Sequence, residues 1–311
     1  MIKAETRLKS FAKLNLGLEI TGRRPDGYHL LRTIFQTIAL HDVITVNFNR
    51  GMGLRISGTG AEVDWSGRNT IRSAVELFVK TYDLPCDLDI KVKKNIPAGA
   101  GLGGGSSNAA VMLLFLNEHS GRRRSPLELL ELAMKIGADV PYFLFGGRVL
   151  GQGIGEKLTF LPDGEDMSAL IAFSPLVVDT GKVFQALTLT KKPGKSKILS
   201  FIKEKDFSKL ENDLEKTSLS LFPELGEVKK KMIERGFNDV LMTGSGSAFF
   251  VLRRAQEIKA ERDRMSGLQC FALLSRQEYL NKIGVWPSGK ASVFGADIRR
   301  FESSHPRWPH E

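Results

Sequence analysis

Residues 97–110 read PAGAGLGGGSSNAA, and this stretch decides the fold. Gly99, Gly101, Gly103, Gly104 and Gly105 leave a backbone that can turn its N–H groups inward and admit a ligand closely. Upstream, Leu88, Ile90 and Val92 alternate with Asp89, Lys91 and Lys93, the period of a half-buried strand. Downstream, Ala109, Met112, Leu113 and Leu116 recur at helical spacing, with Ser106 or Ser107 placed to cap the helix. Strand, glycine loop and helix N-terminus together make an anion site, usually for a nucleotide phosphate. A flexible linker would not end in a capped apolar helix.

Two common phosphate loops fit poorly. The P-loop ends in Gly-Lys-Ser/Thr, whereas Gly105 is followed directly by Ser106. A dinucleotide fingerprint needs an acidic ribose ligand further on, and Arg122, Arg123 and Arg124 occupy that neighbourhood.

With 311 residues, 42% hydrophobic and 26% charged, the chain is long enough for two globular domains. The net charge of +10 favours anionic partners, but it is spread along the chain without a basic arm. Phosphorylated small molecules account for it as well as nucleic acid does, and the former are the expected partners. The N-terminus carries charges throughout and no apolar run of signal or membrane length, so a soluble, cytoplasmic protein with no membrane partner is expected. Cys86 and Cys270 lack metal or CxxC spacing and read as buried thiols in a reducing compartment.

Around the loop, Leu14, Leu16, Leu18 and Ile20 alternate with Asn15, Gly17, Glu19 and Thr21, predicting a strand over 8–22 with Lys13 near its start. A tight turn at 23–27 then presents Tyr28 and His29. Strands are expected at 42–48 and 54–57, and a helix at 69–82. Ser125 and Pro126 open a helix that Gly137 ends. Asp139, before Pro141, has the look of an N-cap, a role that leaves a carboxylate partly exposed and well oriented. Further on come a strand pair within 148–161, a strand at 170–173, a helix carrying Val183, Phe184 and Leu187, and a helical region at 212–235 broken by Pro223. A glycine turn (Gly244, Gly246) leads into a strand at 248–252, followed by a helix to about residue 265 and a strand at 271–274. Mixed helices and hairpins argue for α+β rather than a doubly wound sheet.

AKLNL (12–16), DGYH (26–29), GLGGGSSNAA (101–110), GADVP (137–141), Asn212-Asp213 and TGSG (243–246) resemble the GHMP kinases, small-molecule kinases named for galactose, homoserine, mevalonate and phosphomevalonate. Within them, AKLNL with DGYH is most similar to the branch that phosphorylates a cytidylyl diphosphate ester of methylerythritol in the non-mevalonate isoprenoid route. The resemblance implies a two-domain fold: an N-terminal domain at 1–155 like the second domain of ribosomal protein S5, and a ferredoxin-like domain at 156–283. It implies Asp139 as the base and Lys13 as the cation steadying negative charge. It puts the ATP phosphates on Pro97, Ala98, Gly99, Ala100, Gly101, Leu102, Gly103, Gly104, Gly105, Ser106 and Ser107, with Asn69 and Lys94 toward the adenosine. Mg2+ is expected with the ATP, Ser106 or Ser107 being candidate contacts, although no full ligand set is readable. Tyr28, His29 and Phe184 fall where the cytosine would be held, and Asn15 and Thr180 near the methylerythritol or ribose.

Other GHMP kinases, of homoserine or mevalonate type, are the nearest alternative. A non-catalytic RNA-binding protein on an S5-like fold is a remoter one, and Lys13 together with Asp139 argues against it. The segment 284–311 departs from the family and is expected to form no packed element. Residues 292–297 can be written TCG GTT TTT GGT GCC GAT, whose complementary arms flank a TTG glutamine anticodon. Residues 299–304 can be written CGG AGG TTC GAA TCC TCC, whose arms flank a T-loop. The expectation is a reading frame that runs into a glutamine tRNA gene.

Overall fold

A computed structural model of the chain describes residues 5–48, 51–60, 63–65, 67, 69–188 and 195–285. Its first sheet is built on a long antiparallel hairpin, β1 (Thr6–Arg23) and β2 (His29–Phe48), joined by the expected tight turn. With β3 (Leu54–Thr59), β4 (Leu88–Lys93), β5 (Arg148–Gly153) and β6 (Lys157–Phe160), the order is β3-β4-β2-β5-β6, and β1 lies along the other side of β2. The expected strand at 42–48 is only the far end of β2. Its nearer half carries Thr33, Gln36 and Thr37, all buried, which hides the alternation on which sequence reading depends.

Four helices follow: α1 (Thr70–Tyr82), α2 (Gly104–His119), α3 (Pro126–Ile136) and α4 (Val140–Phe143). The α3 start is as expected, with a capping box between Ser125 and Glu128. The single apolar face expected for α2 understates it. Val111, Leu114 and Phe115 are buried along with Ala109, Met112 and Leu113, so α2 is a central helix, and Leu116 is only half-buried.

The rest of the chain forms β7 (Ser168–Ala172), α5 (Thr180–Ala186), α6 (Lys197–Glu204), α7 (Glu215–Leu221), α8 (Glu224–Glu234), β8 (Leu241–Met242), β9 (Phe249–Arg253), α9 (Ala255–Ala260), β10 (Gln269–Ala272) and α10 (Arg276–Lys282). The second sheet has the order β10-β7-β9-β8, every pair antiparallel. The α+β expectation holds. Cys270, expected to be buried, is exposed, because β10 is an edge strand.

The expected division after residue 155 falls inside the β5–β6 hairpin, so the first sheet continues to Phe160. The chain also returns to it at the end. Ser275 and Glu278 cap α10, whose Tyr279 and Leu280 join the first core with Ile283 and Val285. The expectation of no packing from residue 284 onward therefore fails at Val285, which is buried; residues 286–311 lie outside the described residues.

A second core joins the two sheets. Leu14, Leu16, Ile34 and Ile38 of the hairpin meet Ala100 and Leu102 of the glycine loop and Ile171 and Phe250 of the second sheet. Each fully buried side chain of this kind contributes about 1.5–3 kcal/mol. The loop is thereby held in the seam between the sheets.

Candidate active site

The glycine loop follows β4, and its carbonyls are tied to the framework around it. Gly99, Ala100 and Leu102 accept from the N–H groups of Val178, Ala248 and Lys13 at 3.3, 3.3 and 3.0 Å. The Thr243 hydroxyl donates to the Gly101 carbonyl at 3.4 Å. Four successive carbonyls are thus occupied, and what the loop leaves for a ligand is N–H. Gly101 has φ +75°, and a Cβ there would lie 2.2 Å from the Thr243 carbonyl oxygen, so only glycine fits. This is how the late TGSG turn serves the site: it braces the loop.

The serines do not cap α2. The cap is Gly103, with φ +69°, and it offers no side-chain cap to the leading N–H groups. Because the helix opens at Gly104, Ser106 and Ser107 sit inside it, too late to reach back to the leading N–H groups. Those donors and the positive end of the helix dipole remain available to an anion. Ser107 is buried and accepts from the Ser10 hydroxyl at 2.8 Å, whereas Ser106 lines the cavity.

Asp139 does not act as a side-chain cap either. Its backbone is already helical (φ −87°, ψ −13°), and Pro141 has no N–H to bond. Its carboxylate, about one-third exposed, instead meets the Lys13 ammonium at 3.4 Å. Lys13 is almost wholly buried, donates to Asn15 Oδ1, and lies 5.5 Å from the Phe35 ring centroid. The ion pair therefore forms between β1 and the start of α4.

A cavity of about 570 Å³ collects these groups. Lys13, Asn15, Asn69, Lys94, Asp139, Thr180, Phe184 and the loop from Pro97 to Ser106 all line it. Tyr28, His29 and Ser107 do not. Tyr28 is exposed on its turn, and His29 is buried with its ring 5.6 Å from that of Phe184. Burial, and then the nearby Arg23, hold the His29 imidazole below its ordinary pKa. Thr180 bonds the Ser245 hydroxyl at 2.7 Å.

At the other end Asn69 caps α1 through Oδ1, while its buried Nδ2 finds no partner among the described residues. Lys94 is buried and ion-paired with Asp42, a fully buried carboxylate that also accepts from Asn95 N, Ile96 N and Asn108 Nδ2. Asp42 thus fixes the strand end that leads into the loop.

Sequence reading missed Asp42, Thr33, Phe35 and Trp65. Trp65 lines the cavity and packs over Gly58, where a Cβ would meet its ring at 2.4 Å. A signal for Asp42 was present, as a charge opening the apolar run DVITVNF. Trp65 offered none. No cluster of three or more potential metal-binding His, Cys, Asp or Glu side chains occurs among the described residues. No helix among them is long and apolar enough to cross a membrane.

Residues 69–147 match the family described as "GHMP kinases N terminal domain". A homoserine kinase from Cytophaga hutchinsonii, 19% identical, shares the fold with a TM-score of 0.65 over 88% of this chain and 96% of its own. The fold class is therefore that of the GHMP kinases. Among curated relatives, the 4-diphosphocytidyl-2-C-methyl-D-erythritol kinase of Sulfurihydrogenibium sp. is 39% identical over 79% of this chain and 91% of its own. That of Geobacter metallireducens is 38% identical over 80% and 90%. A crystal structure of 4-(cytidine 5'-diphospho)-2C-methyl-D-erythritol kinase, 33% identical, matches with a TM-score of 0.70 over 86% of this chain and 98% of its own. The chain belongs to the 4-diphosphocytidyl-2-C-methyl-D-erythritol kinase family.

Proposed function

We propose that the protein transfers the γ-phosphoryl group of ATP to the 2-hydroxyl of 4-diphosphocytidyl-2-C-methyl-D-erythritol. The observation that carries this is one cavity lined by both an uncapped helix N-terminus behind a glycine loop and the Lys13–Asp139 pair. Backbone donors of the loop and α2 hold the β- and γ-phosphates. Asp139 accepts the hydroxyl proton as the alcohol oxygen attacks phosphorus and ADP leaves; Lys13 steadies the charge on the oxygen and the moving phosphoryl group.

The adenosine lies toward Asn69, Lys94 and Trp65, where the Asn69 Nδ2, without a partner among the described residues, supplies a donor and the indole a stacking face. The cytosine lies toward Phe184, with His29 behind it and Tyr28 closing from the turn; Asn15 and Thr180 face the polyol or ribose. The donor set suits magnesium that is carried mainly by nucleotide phosphates, with Ser106 as the protein hydroxyl beside it. Magnesium would neutralise phosphate charge there. Ser107 is withdrawn as a contact because Ser10 engages it.

The order β10-β7-β9-β8, in which the first strand lies between the fourth and third, supports a ferredoxin-like second unit beside an S5-like first one. A buried ammonium paired with a carboxylate at the cavity disfavours the RNA-binding alternative, since holding RNA requires no such pair. The test is ADP release with ATP and the cytidylyl substrate, run beside homoserine and mevalonate. Turnover of the cytidylyl substrate alone is expected, and turnover of homoserine or mevalonate instead would overturn the assignment.

A further inference from the structure

Thr33 is buried on β2, makes no contact with Asp139 among the described interactions, and carries no titratable group. We propose that it is a positioning residue that sets the orientation of the Asn15 amide and, through it, the aim of the Lys13 ammonium. The proposal rests on the reading of Lys13 as the cation of the transfer step.

The β1–β2 ladder carries a backbone irregularity. Asn15 pairs with Phe35 and Leu18 with Thr33, so Leu16 and Gly17 on β1 face Ile34 alone on β2. This is a β-bulge, which interrupts the ladder and re-aims what lies beside it. The Gly17 carbonyl takes its hydrogen bond from the Thr33 hydroxyl, at 2.7 Å.

A carbonyl oxygen can only accept, so the single hydroxyl proton of Thr33 is committed to Gly17. Toward any other neighbour the hydroxyl oxygen can therefore only accept. Its other neighbour is the Asn15 side chain at 2.7 Å, which must present its NH2 end. Asn15 Oδ1 then faces the opposite way, onto the Lys13 ammonium. A flipped amide would set N–H against N–H at Lys13 and oxygen against a committed oxygen at Thr33. The Asn15 backbone N–H is fixed separately by Thr243 Oγ1 at 2.9 Å. The polarity thus runs in one sense from the bulge carbonyl to the Lys13 ammonium, with Thr33 anchoring the NH2 end of the amide and so fixing where Oδ1 meets Lys13.

The experiment compares Thr33→Val, which keeps the shape and removes the hydroxyl, with Thr33→Ser, which restores it. Thr33→Val is expected to lower kcat about tenfold or more, while the KM for ATP and the affinity for ADP stay within about twofold. Thr33→Ser is expected to recover kcat to within about threefold. Both variants are assayed well below their Tm, so that a loss of stability does not register as a loss of kcat. In an Asn15→Ala background, adding Thr33→Val should change kcat by less than about twofold, because both act through one amide. Near-normal kcat in Thr33→Val, or multiplicative losses in the double variant, would overturn the proposal. Lys13→Met separates the two readings: full turnover there would reject the role of Lys13 itself, whatever Thr33 does.

Discussion

Replacing Asp139 by Asn separates the chemical role of this carboxylate from a structural one. The side chain keeps its shape, and no capping bond is lost, because the Asp139 carboxylate bonds no helix N–H. What changes is the pair with Lys13 at 3.4 Å. At an effective dielectric constant of about 20, unit charges at that separation attract by about 5 kcal/mol before desolvation is counted. Asp139 is about one-third exposed and Lys13 keeps Asn15 Oδ1 as an acceptor, so the net cost to the fold should be only about 1 kcal/mol. Loss of a general base lowers rates by about 10²–10⁴, or about 2.7–5.4 kcal/mol of activation free energy. The expected outcome is a kcat down by two orders of magnitude or more, ADP affinity nearly unchanged, and a small drop in Tm. Steady-state ADP release, calorimetric ADP titration and thermal unfolding measure the three. A kcat within about threefold of the parent would refute the reasoning and leave Asp139 a bystander to the reaction.

Gly103→Val should harm turnover as well as ATP binding: φ is +69°, and a Cβ would sit 2.8 Å from the Phe143 ring and 3.2 Å from Lys13 Cε. A variant that loses only ATP affinity would show that Lys13 is not displaced. Tyr28→Ala should weaken the cytidylyl substrate by about 1–3 kcal/mol with ATP affinity unmoved. Phe184→Ala should do the same and also lower Tm, since Phe184 packs against the core; normal substrate affinity in both would place the cytosine elsewhere. In a Trp286→Phe/Trp308→Phe background, ADP should quench Trp65 emission and the cytidylyl substrate should not. ADP binding by calorimetry with unchanged emission would remove Trp65 from the adenosine end. A chain ending after Val285 should keep full kinase activity, and loss of it would show that residues beyond 285 contribute. One ending after Ile283 should lose about 1–3 kcal/mol of stability with the buried Val285 side chain. Codons at 292–304 that cannot form the two stems would dispose of the tRNA-gene origin.

Much of the site was legible because local chemistry determines it. Five glycines in a run of seven, set between an alternating strand and an apolar helix, leave few structures other than a phosphate loop. The capping box of α3 and the break at Pro223 follow from single residues whose backbone constraints are local. The resemblance of AKLNL and GADVP to the kinase motifs, rather than residue type alone, marked Lys13 and Asp139 as candidates. It could not show that Asp139 leaves the helix end uncapped, because that depends on a backbone already helical at the cap.

Which side chains lie next to one another was set by packing between distant segments. The bulge at Leu16–Gly17, the committed hydroxyl of Thr33, the buried Asp42 beneath Lys94 and the return of α10 to the first core all join residues far apart in the chain. A hydrogen bond or an ion pair is strong only at contact distance, and contact across such separations is set by how the sheets pack. Residue type alone indicated where the chain turns and which loop could take a phosphate, but it misplaced the caps at Ser106, Ser107 and Asp139. The packing of two sheets around one glycine loop determined which side chains face the same cavity.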